Sequence, residues 1–201
     1  MKKILFVLLF GVCLAGCSSD QTPKEAVSTE TSEEPKESEN AEINETASAA
    51  ETEIASEHVS TAETNALNSA LSYLEFSAFS REGLIEQLEY EQFTTDEATY
   101  AVDNCGADWN QQAVKAAKSY LEFSSFSYNG LIEQLEYEKF TNEQAVYGAD
   151  NCEADWNQEA VEAAKSYLEF SSFSRGGLID QLEYDGFTQE QAEYGASQNG
   201  F

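Results

Sequence analysis

Positive charge is scarce in this chain. Its 201 residues carry ten lysines and arginines against 38 aspartates and glutamates, a net charge of −28 at pH 7. A surface of that sign repels nucleic-acid phosphates and anionic lipid headgroups and attracts cationic partners. Histidine is nearly missing. The single one, His58, sits in a stretch without aromatic residues and reads as a solvated side chain. No Cys–His or Ser–His pair is available after residue 58, and no Gly-x-Ser-x-Gly turn occurs. The chain therefore reads as a non-enzyme that needs no cofactor. Proline stops at Pro23 and Pro35, so nothing of that kind breaks helices in the remainder. Long apolar runs are missing too. The longest, Ile4 to Val12, is far short of the about 20 residues that a spanning helix needs.

What is present at the N-terminus is a targeting segment over residues 1–16. Lys2 and Lys3 form a charged start, and Ile4 to Val12 form a short apolar stretch. The run ends in Leu14-Ala15-Gly16-Cys17, which looks like the lipobox of bacterial lipoproteins. That resemblance implies cleavage after Gly16 and a diacylglyceryl thioether on Cys17. All parts of the signal stand in register, which favours it over an ordinary secretory signal. Cys13 leaves with the cleaved peptide.

Residues 17–65 hold 13 acids and two lysines, a balance of −11. From Ser18 to Asn65 the only sizeable aliphatics are Val27, Ile43, Ile54 and Val59. Such a stretch buries too little apolar surface to offset its ordering entropy, so a disordered acidic linker is expected. As a flexible coil it would span about 35–42 Å, enough to hold a domain away from a membrane.

The remainder is a tandem array. Ser72-Tyr73-Leu74-Glu75-Phe76-Ser77 returns at Ser119 and at Ser166, each copy 47 residues after the last. Gly-Leu-Ile-(Glu/Asp)-Gln-Leu-Glu-Tyr follows at Gly83, Gly130 and Gly177 in the same register. A fixed period of this length means one supersecondary unit repeated. We divide the array into 66–112, 113–159 and a shortened 160–201, since no further Ala-Asp-Trp-Asn-Gln segment follows those at 107–111 and 154–158. Each unit alone is small, so stacking of neighbours is expected.

Projected at about 100° per residue, Trp109, Ala113, Ala116, Ala117, Tyr120 and Phe123 share one face, with Lys115, Lys118 and Glu122 opposite. This predicts a long amphipathic helix, capped by Asp108 with Gln111 and repeated at Asp155 with Gln158. A shorter helix over Gly130–Tyr137 is expected behind Ser127, as behind Ser80 and Ser174. A third helix starts at the capping-box pairs Thr94/Glu97, Thr141/Gln144 and Thr188/Gln191. The fold class is all-α: tandem three-helix repeats, each containing a helix-turn-helix.

The landmarks Gly-Leu-Ile-(Glu/Asp)-Gln-Leu-Glu-Tyr, Phe-Thr-x3-Ala-x-Tyr and Ala-Asp-Trp-Asn-Gln carry a family likeness over residues 66–201. The array resembles the Ltp-type host cell surface-exposed lipoproteins. The resemblance implies helix-turn-helix repeats displayed outside the membrane, mostly in Gram-positive bacteria and their phages. It also implies superinfection exclusion for phage-borne members, which block injection of incoming phage DNA by engaging the tape measure protein. Cys105 and Cys152 depart from the family pattern, where aliphatic residues are commoner.

Other motifs weigh less. The third helices carry acids and no lysine or arginine, so the helix-turn-helix does not read as a DNA reader. Cys105 and Cys152 are equivalent positions of two copies, with Asn199 in the third. Equivalent positions of stacked repeats usually stand farther apart than the about 4.4–6.8 Å that a disulfide spans, so buried free thiols are expected, with a bridge as the alternative that export permits. Asp103-Asn104 with Asp108 and Asn110 lacks the spacing of a calcium loop and is better explained by capping, so no metal site is assigned. Trp109 and Trp156 are expected in the packing between repeats. The candidate binding face is acidic: Glu86, Glu89, Glu133, Glu136, Asp180 and Glu183. Residues 66–201 hold 25 acids and six bases, a balance of −19, which suits a basic protein partner. The other reading of the same features is a structural or adhesive wall-binding lipoprotein with no role against phage.

Overall fold

The computed structural model describes residues 59–201. The expected signal peptide, Cys17, His58 and nearly all of the acidic linker lie outside the described residues. Among the described residues there are nine α-helices and no strand. They group in threes: α1 (Thr61–Phe76), α2 (Arg81–Tyr90) and α3 (Thr95–Asn104); α4 (Trp109–Phe123), α5 (Tyr128–Tyr137) and α6 (Asn142–Asn151); α7 (Trp156–Phe170), α8 (Arg175–Tyr184) and α9 (Gln189–Gln198). The divisions at 112/113 and 159/160 fall inside α4 and α7, because a period sets spacing but not phase. The third unit holds the same three helices as the others.

Local chemistry sets the helix starts. Thr94, Thr141 and Thr188 each accept from the backbone N–H three residues on, and Glu97, Gln144 and Gln191 reach back to the cap N–H. Ser60 and Glu63 do the same for α1. Asp108 and Asp155 accept two N–H groups each, but the return half of the expected box is not made. Gln111 turns instead to the Tyr147 hydroxyl, 3.4 Å away. The second and third helices meet at a left-handed residue: Gln92 (φ 73°), Lys139 (φ 68°) or Gly186 (φ 88°). The following Phe93, Phe140 and Phe187 N–H groups bond back to Leu88, Leu135 and Leu182 carbonyls, closing each helix end.

Neighbouring units touch, as expected, but they do not need each other to form a core. Each unit has its own apolar cluster. In the second, Ala113, Ala116 and Ala117 of α4 close on Leu131 and Leu135 of α5 and on Ala145 and Ala149 of α6. The first and third units repeat this with Ala66, Ala70, Leu84 and Leu88, and with Ala160, Ala164, Leu178 and Leu182. Alanine lets the long helix and the third helix approach closely, so three short helices enclose two leucines, and Trp109, Trp156 and Ala78 of neighbouring units pack on the cluster edges. At Gly148 a Cβ would meet the Ala113 carbonyl oxygen at 2.9 Å, and at Gly195 the Ala160 oxygen at 2.5 Å. Ala101 holds the matching place in the first unit and is fully buried.

A second correction concerns Phe123, placed with the apolar face of its helix by periodicity. It is 79% exposed, and its counterparts Phe76 and Phe170 are 82% and 89% exposed. Each is the last residue of its helix, and the chain leaves in an extended conformation at Ser77, Ser124 and Ser171. No further turn of helix stands over the ring.

Candidate interaction surface

The units are joined by a short list of specific contacts. Ser80 caps α2 by accepting from Gly83 N–H at 2.9 Å, and its hydroxyl donates to the Glu138 carbonyl of the next unit at 2.6 Å. Ser127 repeats both bonds, accepting from Gly130 N–H at 2.9 Å and donating to the Asp185 carbonyl at 2.6 Å. Both serines are 2% exposed. Ser174 caps α8 in the same way but remains exposed. Glycine at the third helical position leaves room for this double use. A Cβ at Gly83 would stand 2.9 Å from Ser80 Oγ and 3.6 Å from the Glu138 oxygen.

Other side chains reinforce the seams. Lys115 Nζ donates to the Leu74 and Ser77 carbonyls at 3.0 and 3.1 Å. Lys139 reaches back from its left-handed turn to Glu86 and to Glu82, and its ammonium is held above its usual pKa chiefly by the Glu86 hydrogen bond. Trp109 packs on the core of the first unit and Trp156 on that of the second, where its ring meets Tyr128 edge-on at 5.5 Å. Glu159 accepts from Phe126 N–H at 3.3 Å across the second seam. Burial pushes its carboxyl above the usual range, opposed by that N–H, with Glu162 and Asp155 adding to the rise.

Within each unit one tyrosine braces the first two helices. Tyr73, Tyr120 and Tyr167 lie edge-on to Phe79, Phe126 and Phe173 at 5.5, 5.9 and 5.8 Å. Tyr167 donates to Asp185 at 2.6 Å and accepts from Gln181 at 3.3 Å. Its phenol is pushed up to about 12, by burial first and by the Asp185 carboxylate second.

The six acids read as a binding face do not share one fate. Glu86 is taken up by Lys139. Glu89 accepts from Thr95 Oγ1 at 2.5 Å, and Glu136 from Asn142 Nδ2 at 2.8 Å, so both close their own helix turns. Glu133, Asp180 and Glu183 are exposed, with no cation or hydrogen-bond donor on them among the described residues. Cys105 and Cys152 are free thiols at the ends of α3 and α6, donating to the Val102 and Ala149 carbonyls. No group of metal-ligating side chains occurs among the described residues. What sequence reasoning missed is the Ser-x-x-Gly seam and the exposed phenylalanines. The signal for the seam was the glycine three places after each capping serine.

Comparison with known proteins adds the following. The family model of the host cell surface-exposed lipoproteins matches residues 61–105, 108–152 and 155–198, one match per three-helix unit. The chain is similar to the solved structure of Ltp, a superinfection exclusion protein from the Streptococcus thermophilus temperate phage TP-J34. Identity is 35%, covering 46% of this chain and 97% of that one, with a TM-score of 0.45. No curated protein matches the chain.

Proposed function

The chain belongs to the host cell surface-exposed lipoproteins, and from that premise we propose that it is anchored outside the cell membrane through Cys17 and halts the entry of phage DNA. Cleavage after Gly16 would leave Cys17 as the lipidated terminus, and residues 17–65 would act as the spacer. The helical array would engage a basic phage protein, the tape measure protein being the candidate that the family resemblance supplies.

The observation that carries this reading is unneutralised negative charge on a repeated helical scaffold. Glu133, Asp180 and Glu183 are exposed and unpaired among the described residues, and the balance over 66–201 is −19. Fixed charge of one sign draws an oppositely charged segment over a distance set by salt, with a Debye length of about 10 Å at 0.1 M.

Expression in a phage-sensitive Gram-positive host tests it. Adsorption should be unchanged while genome entry falls, and Cys17→Ser should abolish protection together with membrane fractionation. A fall in adsorption would mean that the protein masks a receptor. No change in either step across a broad phage panel would favour the structural or adhesive reading.

A further inference from the structure

The three phenylalanines that end the long helices have no packing task. Phe76, Phe123 and Phe170 are 82%, 79% and 89% exposed, the largest such exposures in the array apart from Tyr184. Their neighbours in the repeated Ser-Tyr-Leu-Glu-Phe-Ser segment are occupied. The tyrosine braces the second helix, the leucine packs against the core, and the second serine ends the helix. An exposed position without such a task drifts between copies of this chain: Asn129 and Gly176 are equivalent. The phenylalanine does not drift, although an exposed ring keeps its apolar surface in water without any return from packing.

Each ring follows a glutamate. Glu75, Glu122 and Glu169 are exposed and have no ion-pair or hydrogen-bond partner among the described residues. Phe76 and Phe123 also precede the loops by which one unit grips the next, the loop of Ala78 and Ser80 in the first case, and Phe170 precedes the equivalent loop of the third unit. The Ser80–Glu138 and Ser127–Asp185 bonds are the same contact at the same chain separation, so both seams are closed by the same bond.

We propose that Glu75–Phe76, Glu122–Phe123 and Glu169–Phe170 form a three-step ladder that binds an arginine-bearing polypeptide segment. An arginine-bearing segment suits both halves of each step: one guanidinium stacks on the ring while another donates to the carboxylate, which projects about 100° away around the helix. The negative balance of the array selects a cationic occupant over an anionic one. The ladder depends on the proposed function only for its choice of a basic protein as partner, and it places the contact on residues outside the acidic face named from sequence.

The test is titration of the full-length chain, purified in nonionic detergent, with fluorescent nona-arginine, nona-lysine and an uncharged glutamine peptide. Wild type should prefer nona-arginine and ignore the glutamine peptide. The triple variant Phe76→Leu, Phe123→Leu, Phe170→Leu keeps apolar bulk and all charges, and it should weaken nona-arginine binding about tenfold, three exposed cation–π contacts in sum. Binding within twofold of wild type would overturn the ladder. Because the rings are exposed, melting should be unchanged. If the triple variant does not fold, Glu75→Gln, Glu122→Gln, Glu169→Gln is read by the same titration. It should weaken nona-arginine binding more than Glu133→Gln, Asp180→Asn, Glu183→Gln does, and equal losses would overturn the proposal. Loss of self-association or of sedimentation with phosphatidylcholine vesicles on Phe→Leu substitution, with peptide binding intact, would also overturn it. Genome entry in the phage assay is scored separately, so exclusion can fail while the ladder stands, and the reverse.

Discussion

Ser80 and Glu138 are 58 residues apart in the chain, yet the hydroxyl of one lies 2.6 Å from the carbonyl oxygen of the other. The serine caps its own helix with the lone pairs of Oγ and grips the next unit with its proton. Ser127 stands in the same relation to Asp185. One atom therefore couples a local event, the start of a helix, to a distant one, the docking of a neighbour.

Ser80→Ala and Ser127→Ala should each cost about 1–3 kcal/mol, since each removes a cap and leaves a carbonyl at the seam without its donor. Ser174→Ala should cost about 1 kcal/mol, the cap alone, because its hydroxyl faces solvent. Urea denaturation of the three variants measures this. Equal losses would show that the seam bond adds nothing.

Gly148→Ala should destabilise the second unit. The new methyl group would stand 2.9 Å from the Ala113 carbonyl oxygen and 3.1 Å from Leu135 Cδ1. Overpacking of this kind costs about 1–3 kcal/mol, against about 1 kcal/mol gained in helix propensity. Ala101→Gly should also destabilise, by about 1 kcal/mol, because the first unit already accommodates the methyl group. Thermal melts of the two variants should both shift downward. A rise for Gly148→Ala would mean that α4 and α6 can part at little cost.

Glu159→Gln should raise stability at neutral pH. The folded-state pKa of Glu159 lies above the ordinary 4.5, by burial first. Its contribution is therefore fully present below the unfolded pKa and is lost as pH rises through the folded one. The variant should show a smaller loss of stability than wild type as pH rises from about 4.5 toward 7. Gln112 holds the matching place in the preceding unit with its Oε1 buried and without a partner among the described residues, whereas a glutamine at 159 retains an oxygen for the Phe126 N–H. Parallel pH–stability curves for the two proteins would remove Glu159 as a cause.

Thiol labelling should distinguish the two repeat cysteines. Burial pushes the Cys152 thiol up, and the residue is enclosed where Cys105 is partly exposed. Thiolate is the reactive form, so Cys152 should label slowly in the folded chain and readily in denaturant. Mass spectrometry of alkylated peptides reads this. Fast labelling of Cys152 at neutral pH would mean that the end of α6 opens.

The sequence alone determined what depends on near neighbours. A 47-residue period showed in Tyr73, Tyr120 and Tyr167, and the helix starts showed in Thr94/Glu97, Thr141/Gln144 and Thr188/Gln191, because capping acts over three residues. Alanine and leucine spacing gave the buried faces, since a helix carries its own angular order. Only the tertiary structure decided which of those faces ran out of partners and which carboxylates stayed free. Phe123 lies on the apolar side of its helix by periodicity, but periodicity does not say where the packed neighbour ends, and the ring stands in solvent. Glu86 and Glu133 are the same residue of two copies, yet Lys139 neutralises one and nothing among the described residues neutralises the other. That difference is set by the side chain the next unit brings to the seam: Lys139 against Glu86, and Gly186 one period later. Docking of units is a long-range event: the local Ser-x-x-Gly pattern marks where a seam can form, as at Ser80 and Ser127, but not which side chains meet there.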